Sequence, residues 1–343
     1  MSAKWAKPEY SKNAVRKASR VIGKGVATSG EIEDAKQILS NFRLAHAYPL
    51  NAVTMTVRKH ANDLNPNAVV AERRKRLPTI LDKLKRQPTM SVTTMQDLGG
   101  CRVVLENVAE VEQLVSALSN LPKSRNRVTK IDNYLYDEPG PKASGYRGVH
   151  LIYEYGASKV EYLGLKIELQ VRTSLQHAWA TAVETMDLFS GSELKYGKGD
   201  ADYLRYFVLV SSLMALEEGA KMVPGAEGEF EDLVMELRHL EERLAVLDRL
   251  RGYASIVSKH TESDRRNVLT LELLRREGIL TVMVHETEAE AVLRLTELEE
   301  REDDNLDVVL INIARISQLR DAYPNYFADS GMFVGFVNSV INA

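Results

Sequence analysis

Apolar residues recur every three or four positions through most of the first 86 residues, the spacing of helices that bury one stripe. Residues 9–25 place Ala14, Ala18, Val21 and Ile22 on one face, with Ser11 positioned to cap and Gly23, Gly25 and Gly30 ending the run. A longer helix is expected from Glu31, aligning Ala35, Ile38, Leu39, Phe42 and Ala45, with Pro49 near its end. Residues 51–63 predict another. The Leu64-Asn65-Pro66-Asn67 stretch interrupts, and helix is expected again over Ala68–Arg76 and Thr79–Arg86.

Past Pro88 the period changes. Strands are predicted over Arg102–Leu105, Arg127–Tyr134, Val149–Tyr155 and Val160–Arg172, the last two as a hairpin across Gly156-Ala157-Ser158. Helices are predicted over Val108–Leu118 and Gln176–Leu188, with a loop at Asp137–Lys142. A mixed sheet with helices around it, an α+β fold, follows from this order. Residues 200–255 are helical in pattern, with Leu240, Leu244, Leu247 and Leu250 on one stripe. Strands at Ile279–His285 and Leu306–Ile313 flank a charged helix near 287–302, and helices at Ile316–Tyr323 and Gly331–Val340 follow. The expected division is an N-terminal helical region (1–66), an α+β core (67–192), a helical region (193–275) and a small βαβα-like C-terminal module (276–343).

One strand stands apart. In Lys166-Ile167-Glu168-Leu169-Gln170-Val171-Arg172 the apolar residues point one way, while a base, an acid, an amide and a base point the other, roughly 6.5–7 Å apart. Such a face suits the floor of a site. Charge adds to this. Residues 1–100 hold 18 Lys and Arg against 8 Asp and Glu, a balance of +10, so the remainder carries −13 of the net −3. A basic amino-terminal part suits a polyanion, whether nucleotide or RNA. The 44% hydrophobic and 27% charged composition is that of a soluble globular protein. With no membrane-length apolar run and no signal peptide, a cytoplasmic location is expected. The single cysteine, Cys101, rules out an internal disulfide and reads as a small core residue.

Several groups could supply chemistry. Arg73-Arg74-Lys75-Arg76 with Lys83, Lys85 and Arg86 puts seven cations in fourteen residues, more than one helical face can hold. Arg forks and Lys point charges of this kind can hold a triphosphate. Asp97, before Gly99-Gly100, sits where a magnesium ligand or an ordinary turn residue could stand. Glu168, mid-strand, has no turn role, and Asp97 and Glu168 should converge if their strands are neighbours. Tyr146 between Gly145 and Gly148 suits either a core aromatic or a ring that stacks on a base. The chain has no GxxxxGK[ST] loop, GxGxxG, HExxH or nucleophile elbow, so polyphosphate handling would rest on side chains and metal.

The ordered set Arg73-x-Lys75, Lys83, Asp97-x-x-x-x-Arg102-Val103, Lys142-x-x-x-Tyr146-x-x-x-His150-Leu151 and Glu168-x-Gln170-x-Arg172-Thr173 resembles the synthetase domain of RelA/SpoT-type alarmone synthetases over about residues 40–190. The resemblance implies a nucleotidyltransferase-like α+β fold and transfer of pyrophosphate from ATP to the 3′-hydroxyl of GDP or GTP. It implies ATP-binding roles for Arg73, Lys75, Lys83 and Arg102. Asp97 and Glu168 would bind Mg²⁺ and activate the hydroxyl, and Arg102 would also serve catalysis. Tyr146 would stack on the acceptor base, beside Lys142, His150, Gln170 and Arg172. One departure bears on acceptor preference: Glu184 is followed by Thr185, where many such synthetases carry an acid–His pair. Two other readings stand beside this one: a toxin-type relative using adenine nucleotides or the tRNA 3′ end, and a non-catalytic nucleotide- or RNA-binding regulator. Regulation, partner binding and oligomerisation are roles open to residues 193–343.

Overall fold

A computed structural model describes residues 5–121, 126–136, 138–190, 194, 197–256, 267–274, 279–301, 303, 305–313 and 330–342. The chain opens with helices α1 (Lys12–Lys24), α2 (Ser29–Leu44) and α3 (Ala47–Leu64). Ser11 accepts a hydrogen bond from the Ala14 N–H at the head of α1. Thr28 and Glu31 form a reciprocal capping box on α2, satisfying two otherwise orphaned donors. There follow β1 (Val69–Arg74), α4 (Leu77–Arg86), β2 (Gly99–Leu105), α5 (Val108–Ser119), β3 (Asn126–Asn133), β4 (Val149–Tyr155), β5 (Lys166–Thr173) and α6 (Ser174–Ser190). The remainder is α7 (Ala201–Glu217), α8 (Phe230–Leu244), α9 (Val246–Ile256), β6 (Asn267–Leu274), β7 (Ile279–His285), α10 (Glu288–Glu300), β8 (Leu306–Ile313) and α11 (Gly331–Ile341).

Among the described residues, eight strands form one sheet in the order β3-β4-β5-β2-β1-β8-β6-β7, in which β2 and β5 pair in parallel and the other neighbours are antiparallel. The fold is thus α+β with a mixed sheet flanked by helices. Leu50, Val53 and Val57 of α3 and Val111, Leu114 and Leu118 of α5 pack on the apolar face of β1, β2, β4 and β5, against Val70, Val103, Leu151 and Leu169. A second core joins α1, α2 and α4 to the strand ends at Tyr155 and Leu165. A third joins α6, α7, α8, α9 and α11 with the loop residues Val223 and Ala226.

Four sequence expectations change. Residues 68–76 were expected to be helical, but Val69–Arg74 is a strand. Its β-branched valines suit an extended chain, and it has hydrogen-bonding partners on both sides, β2 along its length and β8 at Glu72 and Arg73. The region 193–275 is not wholly helical, since Asn267–Leu274 is a strand. The module drawn at 276–343 extends the core sheet, because β8 pairs with β1 and with β6. The tight hairpin expected at 156–158 is a longer connection. A 3₁₀ turn, Val160–Tyr162, intervenes, and Tyr162 stacks on Tyr48 at 4.9 Å. Residues 316–323 lie outside the described residues.

The strand at β1 also resolves the crowded basic run. Extended backbone sends successive side chains in opposite directions. Arg74 turns to Glu288 at the start of α10, at 3.0 Å, and Arg76 pairs with Asp307 of β8. Arg43 of α2, 1% exposed, donates from Nη1 to Glu299 at 3.2 Å and brings Nη2 within 3.2 Å of its other oxygen, and Glu299 also accepts from the Leu77 N–H at 3.1 Å. Acids from the C-terminal part thus hold the strand–helix junction at 74–77. Removing one partner of a buried pair strands the other charge. Glu299→Ala is expected to lower unfolding stability by about 3–5 kcal/mol, measured by chemical denaturation.

Candidate active site

The register of four strands builds the site. Across the sheet, Arg73, Gly100, Glu168 and Ile152 lie in one row. Arg102, Gln170, His150 and Asp132 lie in the next. Partners in register project to the same face, and this face is opposite the one covered by α3 and α5. Gly100 therefore leaves an open notch between Arg73 and Glu168. A Cβ built there would sit 3.8 Å from the Arg73 carbonyl oxygen and 4.0 Å from that of Glu168.

The polar face of β5 is wired into a chain. Arg172 donates to the Tyr146 hydroxyl oxygen at 2.9 Å and to the Gln170 side-chain carbonyl at 2.9 Å. Tyr146 Oη lies 2.5 Å from His150 Nε2, and His150 Nδ1 lies 3.1 Å from Glu168 Oε1. Gln170 Nε2 donates to Glu168 Oε2 at 2.8 Å. A neutral imidazole satisfies every link: the Tyr146 hydroxyl donates to Nε2, and the Nδ1 proton goes to Glu168. Burial would raise the Glu168 carboxyl. The His150 contact, the Gln170 amide and the Arg73 charge outweigh it and hold the group at about 2.

Beside the β1–β2 pair, Lys75 Nζ lies 2.5 Å from Asp97 Oδ2, and the Lys75 N–H bonds the Leu98 carbonyl, prolonging the ladder beyond β1. Asp97 Oδ1 is buried and makes no hydrogen bond among the described residues. Asp97 stands just ahead of Gly99-Gly100, and Gly100 is opposite Glu168, so the two carboxylates approach the same end of the β2–β5 pair. Lys83 is on α4, between Lys75 and Asp97 in the chain. Among the described residues no three His, Cys, Asp or Glu side chains cluster as a complete metal site would need. A magnesium ion held by one carboxylate and phosphate oxygens needs fewer, and the unpaired Asp97 Oδ1 fits that demand. Cys101 is buried on the opposite face, its thiol pushed up to about 12 by burial, as a core residue should be.

The loop before β4 carries the aromatic part. Gly145 has φ +92°, and a Cβ there would come within 2.6 Å of the Trp179 ring. Gly148 has φ +144°, and its Cβ would meet Arg172 at 3.1 Å. Both positions need glycine, and between them Tyr146 is turned over the strand ends. Lys142 Nζ and the Arg172 guanidinium both lie 5.0 Å from the Tyr146 ring centre. Tyr134, which the sequence marked only as a strand end, completes the cluster. Its ring meets Tyr146 at 5.7 Å and His150 at 5.2 Å, and Lys142 sits 4.4 Å from its centre. The period-2 pattern of β3 carried no sign of this, because Tyr134 lies just past its end.

Residues 72–188 match the family described as the region found in RelA / SpoT proteins. That stretch is similar to the RelA/SpoT region. It is 30% identical over 145 residues to the GTP pyrophosphokinase YjbM of Bacillus subtilis, covering 40% of this chain and 64% of that protein. It is 29% identical over 126 residues to the GTP pyrophosphokinase YwaC of the same organism, covering 34% and 56%. The chain thus spans less than two thirds of the length of the curated relatives it matches. Among solved structures, small alarmone synthetase 2 from Bacillus subtilis has a TM-score of 0.45 at 20% identity, covering 52% of this chain and 94% of that one. Small alarmone synthetase 1, bound to its product pppGpp, has a TM-score of 0.43 at 20% identity, covering 52% and 93%. The matched stretch begins at Glu72 in β1 and ends within α6, so it contains every site residue named above.

Because the Glu168 carboxyl is depressed, the stability it confers is present above its ordinary value of 4.5 and is lost as pH falls toward 2. His150→Ala should move the Glu168 carboxyl back toward 4.5 and flatten that acid loss, followed by carboxyl-carbon NMR titration and acid unfolding.

Proposed function

We propose that this site transfers the β,γ-pyrophosphoryl group of ATP to the 3′-hydroxyl of GDP or GTP, giving AMP and guanosine tetra- or pentaphosphate. The observation that carries this reading is the single sheet face on which Arg73 and Arg102 lie to one side of Glu168 and the Tyr146–His150–Arg172 chain to the other. The names of the GTP pyrophosphokinase relatives support it.

The transfer forms one O–P bond at the β-phosphorus and breaks the α,β-anhydride, with AMP as leaving group. Such transfers need positioning and charge neutralisation more than covalent help. Arg73, Lys75, Lys83 and Arg102 would surround the donor phosphates. Asp97 would hold Mg²⁺, which supplies further neutralisation of the phosphate oxygens. Glu168, ionised at neutral pH, would accept the hydrogen bond of the attacking hydroxyl, orient it toward the notch at Gly100 and take its proton as the O–P bond forms, passing it on to water. Gln170 and His150 keep that carboxylate aimed. A base stacked on Tyr146 would displace Lys142 or Arg172 from over the ring, and either cation would then be free to meet acceptor phosphate.

Purified protein with labelled ATP, Mg²⁺ and GDP or GTP should give a pyrophosphorylated guanine nucleotide. No product with either would sink the reading. Product only with adenine nucleotides or deacylated tRNA would transfer the same chemistry to another acceptor. Glu168→Gln and Asp97→Asn should lower kcat by at least about a hundredfold. Tyr146→Ala should act mainly on the acceptor KM, and a pure kcat effect would count against stacking.

A further inference from the structure

Tyr146 is held from a helix outside the matched region. Helix α7 begins at Ala201, beyond the RelA/SpoT region at 72–188. Ser211 of α7 donates to the Gly145 carbonyl at 2.6 Å and accepts from Arg147 Nε at 3.2 Å. Seven residues on, two turns along the same side of the helix, Glu218 at its C-terminal cap takes Arg147 Nη1 at 2.5 Å. This pair is interior: the Arg147 and Glu218 side chains are 1% and 6% exposed. Glu218 also accepts from the Thr173 hydroxyl and from Gln176 Nε2 at 3.2 Å. It therefore ties the residue after Tyr146 to the residue after Arg172. Those two neighbours, Tyr146 and Arg172, are the pair whose hydrogen bond closes the chain to Glu168.

We infer that Ser211 and Glu218 are positioning residues for the acceptor side of the site. Acting through Arg147 and Gly145, they fix where the Tyr146 ring stands relative to β5. The inference rests on the reading of Tyr146 as part of a nucleotide acceptor site. A buried charge pair is a costly way to hold a loop, since packed apolar residues of like volume often do as well. Arg147 instead reaches two fixed partners on α7, Glu218 through Nη1 and Ser211 through Nε, and directed bonds of this kind set direction as well as distance, which an apolar contact does not.

The test uses the full chain. Glu218→Gln keeps the size and removes the charge, and Ser211→Ala removes one oxygen. Both should raise the acceptor KM about tenfold while leaving the ATP KM within about twofold, since only one substrate's seat is loosened. Ser211→Ala alone decides the case if Glu218→Gln fails to fold. Equal changes in both KM values, or unchanged acceptor KM in a folded variant, would overturn the inference. A second readout does not depend on activity. The chain has two tryptophans, so Trp5→Phe leaves Trp179, packed against Gly145, as the sole tryptophan, read by selective excitation. Ser211→Ala in that background should make Trp179 more accessible to acrylamide quenching, and unchanged quenching would count against the loop's dependence on α7. If the parent protein makes no product with any acceptor, the activity reading fails while Trp179 still reports on the loop.

Discussion

The parallel pairing of β2 with β5 is the constraint on which the site depends. It sets Gly100 beside Glu168 and Arg102 beside Gln170. Side chains alternate along a strand, so a slip of one residue would turn Glu168, Gln170 and Arg172 into the apolar layer under α3 and α5. The same slip would bring Ile167, Leu169 and Val171, each fully buried, out to the site face. Burial of those three residues is what holds the register, so the apolar face of β5 enforces the geometry of its polar face. A parallel pair also needs a long crossover. Here α5, β3 and β4 provide it, and the loop that carries Tyr146 lies within it.

Charge is distributed by that same alternation. The basic run at 73–76 serves two purposes because it is a strand and an extended exit from it. Arg73 and Lys75 face the site. Arg74 and Arg76 are taken up by Glu288 and Asp307 from the C-terminal part. The acidic balance beyond residue 100 and the basic balance before it are thus partly matched in direct pairs. The sheet, extended by β8, β6 and β7, places those acids against β1. What resembles two oppositely charged regions in the sequence is one network across a shared sheet.

Within the site the cations and the ring compete for one another. Tyr146 is engaged at its hydroxyl by Arg172 and His150, and its ring carries Lys142 and Arg172 above it. A cation over an aromatic face is attracted by its quadrupole, and a nucleobase seeks the same surface. On the proposed reading, a nucleobase on this ring would replace one of its cations and free that positive charge.

The sequence by itself determined what local periodicity can carry. The alternation at 166–172, the strands at 149–155, 279–285 and 306–313, and the helical runs before residue 65 and after residue 200 each follow from side-chain spacing within one segment. The resemblance carried by spaced residues such as Arg73, Asp97, Tyr146 and Glu168 survived the misassignment of 68–76 as helix, because motif spacing does not depend on local conformation. The tertiary structure alone decided three matters: that β1 is extended, that β6, β7 and β8 continue its sheet, and that Ser211 and Glu218 reach the Tyr146 loop. Each depends on partners far apart in the chain, such as Arg73 with Ile311 or Arg147 with Glu218. A short apolar segment with charges on either side can be helix or strand until a neighbouring backbone offers its hydrogen bonds. A lone glutamate at a helix end gives no sign in sequence of the arginine it will meet.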